Sequence, residues 1–507
     1  MNRELWEDYL NYDARTDLKA FQTIPAERWM ELGEQQALAT FRDAAQRVPA
    51  YRDFLATNGV KPESVRTIED FRHLPLTDKK NYLDTYTLND IANNGTLQGS
   101  TVIWSSSGSS GEPHYWPRTP LQDASVYKGV ELLLIQYFDV DRFSTLVINC
   151  LPMGTWTAGE IMHSSVKAMG DKGLSIAVIS PGLDVDRFFE ILNDLGKNFE
   201  KVIACAYPSL FSLLATEAER RELDFRDMRI GFVTGGEGFS EGWRRRMASV
   251  FRFRHPYRSI ASVLGTSETG LTGFSTPLVD SVRMHLFEQT GLANSLFGGG
   301  ELPSIIQFVP PARFVEIINR QIVVTCTGLV PLIRYNTHDL GQIFMPQELL
   351  ASLPGFREQY HSLGEPHGMP NLPVLTVEGR ADALTILAVN IFHNQLCSCI
   401  EAPELAEFLT GRFVAEEIET ETAEKHLQLM IELRSGVDHH EGLANEVTRL
   451  IATNLAALNS EYAVALSTLG ESVHPLVELV PAGSSNFLSS GKGSAIRRRP
   501  TGQKKSH

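Results

Sequence analysis

Cysteine is scarce in this sequence: five occur among 507 residues, at Cys150, Cys205, Cys326, Cys397 and Cys399. An odd, scattered set does not make a disulfide framework, and the Cys397-Ser-Cys399 spacing suits neither a disulfide nor a zinc site. Cys150, Cys205 and Cys326 sit in or beside apolar runs, where cysteine behaves as a small hydrophobe, so reduced core thiols are expected. Positive charge is also short. Lys and Arg number 46 against 61 Asp and Glu, a net charge of -15, and the field of such a chain repels nucleic acid and anionic membranes. The one basic run, Arg497, Arg498, Arg499, Lys504 and Lys505, reads as a solvated tail.

Long apolar runs are missing too. None approaches the roughly 18 residues a membrane-spanning helix requires. Met1 to Asp17 carries five acidic residues and no continuous apolar stretch, so it does not read as a signal peptide, and the expectation is a cytoplasmic protein. Two catalytic signatures are absent. No Gly-x-x-x-x-Gly-Lys-Ser/Thr occurs, which disfavours P-loop kinases, and Gly265-Thr-Ser-Glu-Thr-Gly270 misses the nucleophile-elbow spacing of serine hydrolases by one residue. No fixed-period repeat or low-complexity segment is present.

What remains is an ordinary globular composition, 43% hydrophobic and 21% charged, long enough for roughly two to four folding units. A helical leading segment runs from Gln35 to Asp84, with Thr77 or Asp78 as a helix cap. Apolar runs at 144–151, 174–179, 201–206, 229–234 and 259–264 then alternate with amphipathic stretches, the pattern of a parallel α/β sheet. Residues 314–318 and 322–327 predict a hairpin turning at Asn319-Arg-Gln321, hence a β-rich subdomain. A new α/β unit begins near Glu378. It contains a second hairpin with arms 413–421 and 427–433, a helix over 441–458 and a strand over 475–480.

Loops at the carboxyl ends of parallel strands are where ligands gather. The richest loop, however, is Ser105-Ser-Ser-Gly-Ser-Ser-Gly-Glu-Pro113. Its hydroxyls and bare N–H groups can donate to phosphate oxygens, and Gly108 and Gly111 permit close backbone approach. A flexible linker has a similar composition, but it would not be flanked by strand-like 101–104 and 114–118.

Taken with Arg47-Val-Pro-Ala-Tyr51, Leu74-Pro-Leu-Thr-Asp-Lys79, Gly235-Gly-Glu237, Gly265-Thr-Ser-Glu268, Arg334-Tyr-Asn-Thr-His-Asp339, Gly379-Arg-Ala-Asp382 and Gly491-Lys492, this loop resembles the ANL superfamily of adenylate-forming enzymes. The resemblance is to its phenylacetate-CoA ligase-like branch and covers most of the chain. It implies an α/β fold with a large N-terminal domain, residues 1–378, made of parallel-sheet subdomains and a β-rich subdomain. A small mobile α+β C-terminal domain, residues 379–507, would carry the catalytic lysine.

By the same resemblance Ser105, Ser106, Ser107, Gly108, Ser109, Ser110 and Gly111 hold the ATP phosphates, and Gly235, Gly236 and Glu237 line the adenine pocket. Thr266 and Ser267 join the ATP site, Glu268 holds Mg²⁺, Asp339 binds the ribose hydroxyls and Arg380 also reaches the ribose. Asp382 is the hinge. Lys492 stabilises the charge that builds when a carboxylate attacks the α-phosphorus. Trp156, Tyr207 and Gly265 fall in the substrate pocket, and the aromatic pair suggests an aryl or arylalkenyl acid.

The resemblance implies ATP and Mg²⁺ as cofactors, and CoA or a carrier-protein pantetheine as the thiol acceptor; it leaves a homodimer open. One departure keeps the acceptor undecided. The branch has Arg-Gly-Val-Asn after the hinge, where glycine lets pantetheine pass, whereas this chain has Leu387-Ala-Val-Asn390. A non-CoA acceptor therefore stands beside the thiol, whether by amide formation or by nitrite-dependent diazotisation of an aromatic amine.

Overall fold

The computed structural model describes residues 13–106, 114–154, 157–253, 255–297, 302–362, 369–380, 383–420, 424–437, 440–482 and 494–497. The leading segment is helical as expected. Asp13 caps Ala14–Thr23 by accepting from Arg15 and Thr16 N–H groups, and Ala26–Arg47 and Pro49–Thr57 follow. Of the two capping candidates, Asp78 is the cap: it accepts from Asn81 N–H at the head of the short turn Lys79–Leu83. Thr77 has a different task. Its hydroxyl donates to Ile333 O and its N–H to Arg334 O, tying the segment to the sheet behind it.

Two short strands, β1 (Val102–Ser105) and β2 (Tyr115–Arg118), pair antiparallel on either side of the Ser/Gly loop. The parallel strands follow: β3 (Thr145–Asn149), β4 (Ile176–Ile179), β5 (Lys201–Ala206), β6 (Ile230–Gly235) and β7 (Ile260–Thr266). Residues 145–149 are buried throughout, as are 202–206 and 230–234. Strands covered on both faces read as continuous apolar runs, which is why they were legible. Next come β8 (Gly270–Phe274), β9 (Ser304–Gln307), β10 (Phe314–Ile318), β11 (Gln321–Cys326), β12 (Leu332–Phe344) and β13 (Val374–Arg380).

The β-rich part is not a sheet of its own. Among the described residues it continues the parallel one into an 11-stranded sheet, order β10-β11-β12-β13-β9-β8-β7-β6-β5-β3-β4. The polarity changes at the β7–β8 hairpin, and a single register pair, Phe274 with Gln307, joins β8 to β9. Such a join depends on distant segments meeting, so no local pattern announces it. One core cluster, with Phe41, Tyr51, Phe71, Trp104, Trp116, Phe308 and Phe314, lies between the leading helices and the antiparallel strands. Two more pack along the parallel strands.

After residue 382 come the hairpin β14 (Ala383–Ile386) and β15 (Val389–Phe392), then β16 (Leu409–Glu419), β17 (Lys425–Leu433), β18 (Leu476–Val480) and β19 (Ser494–Arg497). The last four form a sheet in the order β18-β17-β16-β19, with Glu441–Leu458 and Ser460–Leu469 as its principal helices. Its core, including Leu396, Phe413, Leu429, Ile431, Val447 and Leu455, is drawn only from residues 384–479. Cys150, Cys205, Cys326 and Cys399 are buried and all five thiols are free. No helix among the described residues is long and apolar enough to cross a membrane.

Candidate active site

The ends of the Ser/Gly loop are pinned. Ser105 faces Tyr115 across the β1–β2 ladder, Ser106 N–H donates to His114 O at 2.8 Å, and His114 N–H donates to Ser106 Oγ at 2.8 Å. Ser107, Gly108, Ser109, Ser110 and Gly111 lie outside the described residues, as do Trp156, Asp382 and Lys492. Below the loop Trp104 and Trp116 are buried, and the Arg118 guanidinium covers Trp104 at 4.0 Å, a cation–π contact that stiffens the hairpin.

The β7–β8 turn comes up against this loop. Ser267 Oγ shares a hydrogen bond with Thr157 Oγ1 at 2.8 Å and donates to Ser105 O at 3.4 Å. Thr266 Oγ1 accepts from Thr269 N–H at 3.1 Å, and Arg313 Nε donates to Thr269 O. Gly265 is required here, because a Cβ would stand 2.8 Å from Gly270 O. The turn carries Glu268, half-buried, directly after the Ser267 that reaches Ser105.

His114 and Tyr335 both feel the Glu268 charge. Burial and the Lys79 charge hold the His114 imidazole below its usual value, while Asp84 and Glu268 pull it up. Burial raises the Tyr335 phenol well above its usual range; Glu268 adds to that and Arg380 opposes it. Tyr335 thus lies within reach of both the Glu268 and the Arg380 charge.

Asp339 and Arg380 face each other in the β12–β13 ladder, and the Arg380 guanidinium lies over the Phe392 ring at 5.5 Å. The strand bends as it delivers Asp339: Arg334 and His338 have φ of 47° and 62°, and Asn336 Oδ1 accepts from His338 N–H at 2.9 Å. Arg334 is a structural tie, paired with buried Glu316. The structure thus brings Ser105 and Ser106 against the turn that carries Thr266, Ser267 and Glu268, and pairs Asp339 with Arg380 in the β12–β13 ladder.

Gly235, Gly236 and Glu237 lie at the end of β6, on another side. Gly235 packs so closely on Val263 that a Cβ would meet its Cγ2 at 2.7 Å. Gly236 has φ of 82°, with room for a Cβ only 3.0 Å from Ala388 Cβ and the Tyr207 ring. The Glu237 carboxylate is already engaged: it accepts from Ser209 N–H at 2.8 Å and from Ala388 N–H at 3.2 Å. Burial raises its pKa, and the Ser209 hydroxyl, the Lys425 charge and the two N–H donors lower it.

Ala388 belongs to the β14–β15 turn, where Leu387 and Ala388 have φ of 55° and 59°. Two left-handed non-glycine residues cost roughly 1–2 kcal/mol each. The turn closes one side of a narrow cleft whose other walls are Pro152, Leu183, Tyr207, Ser209 and Leu210, with Glu461 and Val464 from Ser460–Leu469. Of the expected pocket residues, Tyr207 lines this cleft and Gly265 does not. Glu461 and Val464 were not foreseen. Nothing local marks an acidic residue in the first turn of an apolar helix as a cleft wall, since such a residue is commonly only a helix-dipole partner.

No protein-family model matches the chain. It is similar to curated phenylacetate-coenzyme A ligases. One, from Thermus thermophilus, is 26% identical over 45% of this chain and 48% of its own, so the match spans about half of that relative. The Pseudomonas putida enzyme is 23% identical over 70% of this chain and 72% of its own, and the Escherichia coli enzyme 21% over 75% and 78%.

Among solved structures, 2-hydroxyisobutyryl-CoA ligase with its adenylate and CoA in the thioesterification state superposes with a TM-score of 0.65 at 15% identity. That match covers 94% of this chain and 91% of the other. The same ligase in the postadenylation state gives 0.54 at 14% identity, again over 94% and 91%. The fold is that of the adenylate-forming enzymes. In sequence the chain is similar to phenylacetate-CoA ligases, as the resemblance read from the motifs implied.

Proposed function

We propose that this protein is an ATP-dependent, AMP-forming acid–thiol ligase. The observation that carries the reading is the meeting of the pinned Ser105–Ser106 hairpin with the β7–β8 turn that presents Glu268. Asp339 and Arg380 are register partners in the β12–β13 ladder, and the Arg380 charge, like that of Glu268, acts on Tyr335. In the first half-reaction an oxygen of the bound carboxylate attacks the α-phosphorus of ATP, the α–β bridging bond breaks, and pyrophosphate leaves. In the second, the acceptor thiol attacks the acyl carbon, the bond to the phosphate oxygen breaks, and AMP leaves with the thiol proton passing to solvent.

The residues divide this work. The Ser/Gly loop with Thr266 and Ser267 supplies donors to the phosphates, Asp339 accepts from the ribose hydroxyls with Arg380 beside it, and Lys492 stabilises charge on the α-phosphate. Glu268 fits Mg²⁺, which takes one or two carboxylates and completes its shell with phosphate and water. The described residues hold no cluster of three or more His, Cys, Asp or Glu that would make an all-protein cage. When bound, the ion neutralises phosphate charge. Residues 379–507 form the unit that turns about Asp382, bringing Lys492 and then the β14–β15 turn to the substrate. Tyr207 in the cleft wall favours an aryl acid, and CoA is the thiol that the relatives' names support.

An amine acceptor is the second reading. It is favoured by Ala388, whose methyl stands close to Gly236, and by a cleft whose one charged wall residue among the described residues is Glu461. Pyrophosphate release over a panel of aryl and alkyl acids, with CoA, with an amine or with neither, separates the two. Thioester masses support the first reading; acid-dependent AMP with amide and no thioester replaces it with the second.

A further inference from the structure

One carboxylate joins the end of β6 to the β14–β15 turn. Glu237 accepts from Ser209 N–H in the first turn of the helix Pro208–Arg220 and from Ala388 N–H across the cleft. The helix end favours a negative charge there. The turn it holds is a two-residue left-handed one, a conformation that Asn-Gly or Asp-Gly pairs take without strain. Leu387 and Ala388 are neither, and they keep that conformation because their surroundings impose it. The surroundings are the β14–β15 ladder, which closes beneath the turn at Ile386 and Val389, the core on which Leu387 packs and, across the cleft, the Glu237 carboxylate and the bare Cα of Gly236.

We propose that Glu237 is a positioning residue that clamps the Leu387–Ala388 turn into the cleft for acyl transfer, acting through the Ala388 N–H and not on the nucleotide. This rests on the acid–thiol ligase reading. In that cycle the clamp exists only while the β14–β15 turn is docked. Removing it lowers the fraction of enzyme poised for the second half-reaction, so acyl-adenylate formed in the first escapes or is hydrolysed. A glycine at 388 takes the left-handed turn unstrained, so the need for the clamp falls when Ala388 is replaced by glycine.

The test compares wild type, Glu237→Ala, Glu237→Gln and the double variant Glu237→Ala/Ala388→Gly. Two readouts are used: acyl product per AMP formed, with ATP, Mg²⁺, the acid panel and CoA or hydroxylamine as acceptor, and amide hydrogen exchange of the peptide 383–392. Glu237→Ala is expected to lower product per AMP about tenfold and to speed exchange in that peptide. Glu237→Gln, which keeps an acceptor oxygen, recovers most of the ratio, and so does the double variant.

A Glu237→Ala enzyme with the wild-type ratio and unchanged exchange at 383–392 overturns the clamp. So does a proportional loss of AMP and product without faster exchange there, which is the mark of a merely structural defect. Wild type that forms no AMP with any acid overturns the ligase reading instead, and the exchange measurement still decides whether Glu237 holds the turn.

Discussion

Glu268 is placed by the packing of its own turn. Arg313 holds the Thr269 carbonyl, and Gly270, φ 66°, leaves no room for a side chain because Arg313 Nη2 would lie 3.0 Å from its Cβ. Glu268→Ala is expected to lower acid-dependent pyrophosphate release on the order of 100-fold and to raise the Mg²⁺ concentration needed for half-maximal rate. An unchanged Mg²⁺ dependence would remove Glu268 from the metal's shell.

Far from the site, Asp17 lies 2.7 Å from Lys128 with both side chains buried. Asp17→Ala strands that ammonium, and a loss of about 3–5 kcal/mol is expected in urea unfolding. Burial pushes the Asp17 carboxyl up to about 6, against the pull of Lys128. A raised folded pKa means that this group's contribution is full below its ordinary value near 3.8 and is lost as pH rises through about 6. The stability of wild type relative to Asp17→Asn should therefore fall between about pH 4 and pH 6, which pH-resolved unfolding checks.

At the scale of elements, the site depends on two turns. In the β7–β8 turn, Gly265→Ala drives a Cβ to 2.8 Å from Gly270 O and pries the ladder apart beneath Glu268. Adenylation should drop at least about tenfold while the thermal midpoint moves by only a few degrees; equal retention of both would show that the turn tolerates the methyl.

The legibility of the sequence divides along the same line. Elements defined by local period were readable: the helix Glu441–Leu458 falls where the apolar pattern put it, and β5 occupies Lys201–Ala206 as its run of small and branched apolar residues indicated. The hairpin turn at Asn319-Arg320, φ 50° and 65°, was marked by asparagine's tolerance of the left-handed region. Pairings between distant segments were not readable. Nothing in Ser304–Gln307 or Val374–Arg380 says that they are neighbours, nor that Thr77 is a sheet tie and Asp78 the cap. The site was partly legible for the same reason. Gly265-Thr-Ser-Glu268 announces a turn with a carboxylate, but the grip of Glu237 on Ala388, 151 residues away, is a tertiary fact.

For the whole molecule, the cores of the large sheet, the core of residues 384–479 and the contacts between them matter most. The β16–β17 hairpin leans on the large sheet's helices: Ser240 Oγ donates to Glu419 Oε1 at 2.6 Å, and Thr216 Oγ1 to Glu424 Oε1 at 3.1 Å. These are small polar contacts beside cores of many large side chains, an interface suited to making and breaking in the rotation proposed for residues 379–507. In that cycle Lys492→Ala should lose adenylation on the order of 100- to 1,000-fold while still converting supplied acyl-adenylate and CoA to thioester. Loss of both halves together would place Lys492 in a general structural role.

The central claim is carboxylate activation through an adenylate, and the most direct measurement is product analysis of the intact protein with ATP, Mg²⁺ and the acid panel, with and without CoA. The account predicts AMP and pyrophosphate only when an accepted acid is present, and an acyl-CoA mass only when CoA is added. ATP turnover that yields ADP and phosphate, or AMP formation that no acid stimulates, would contradict it.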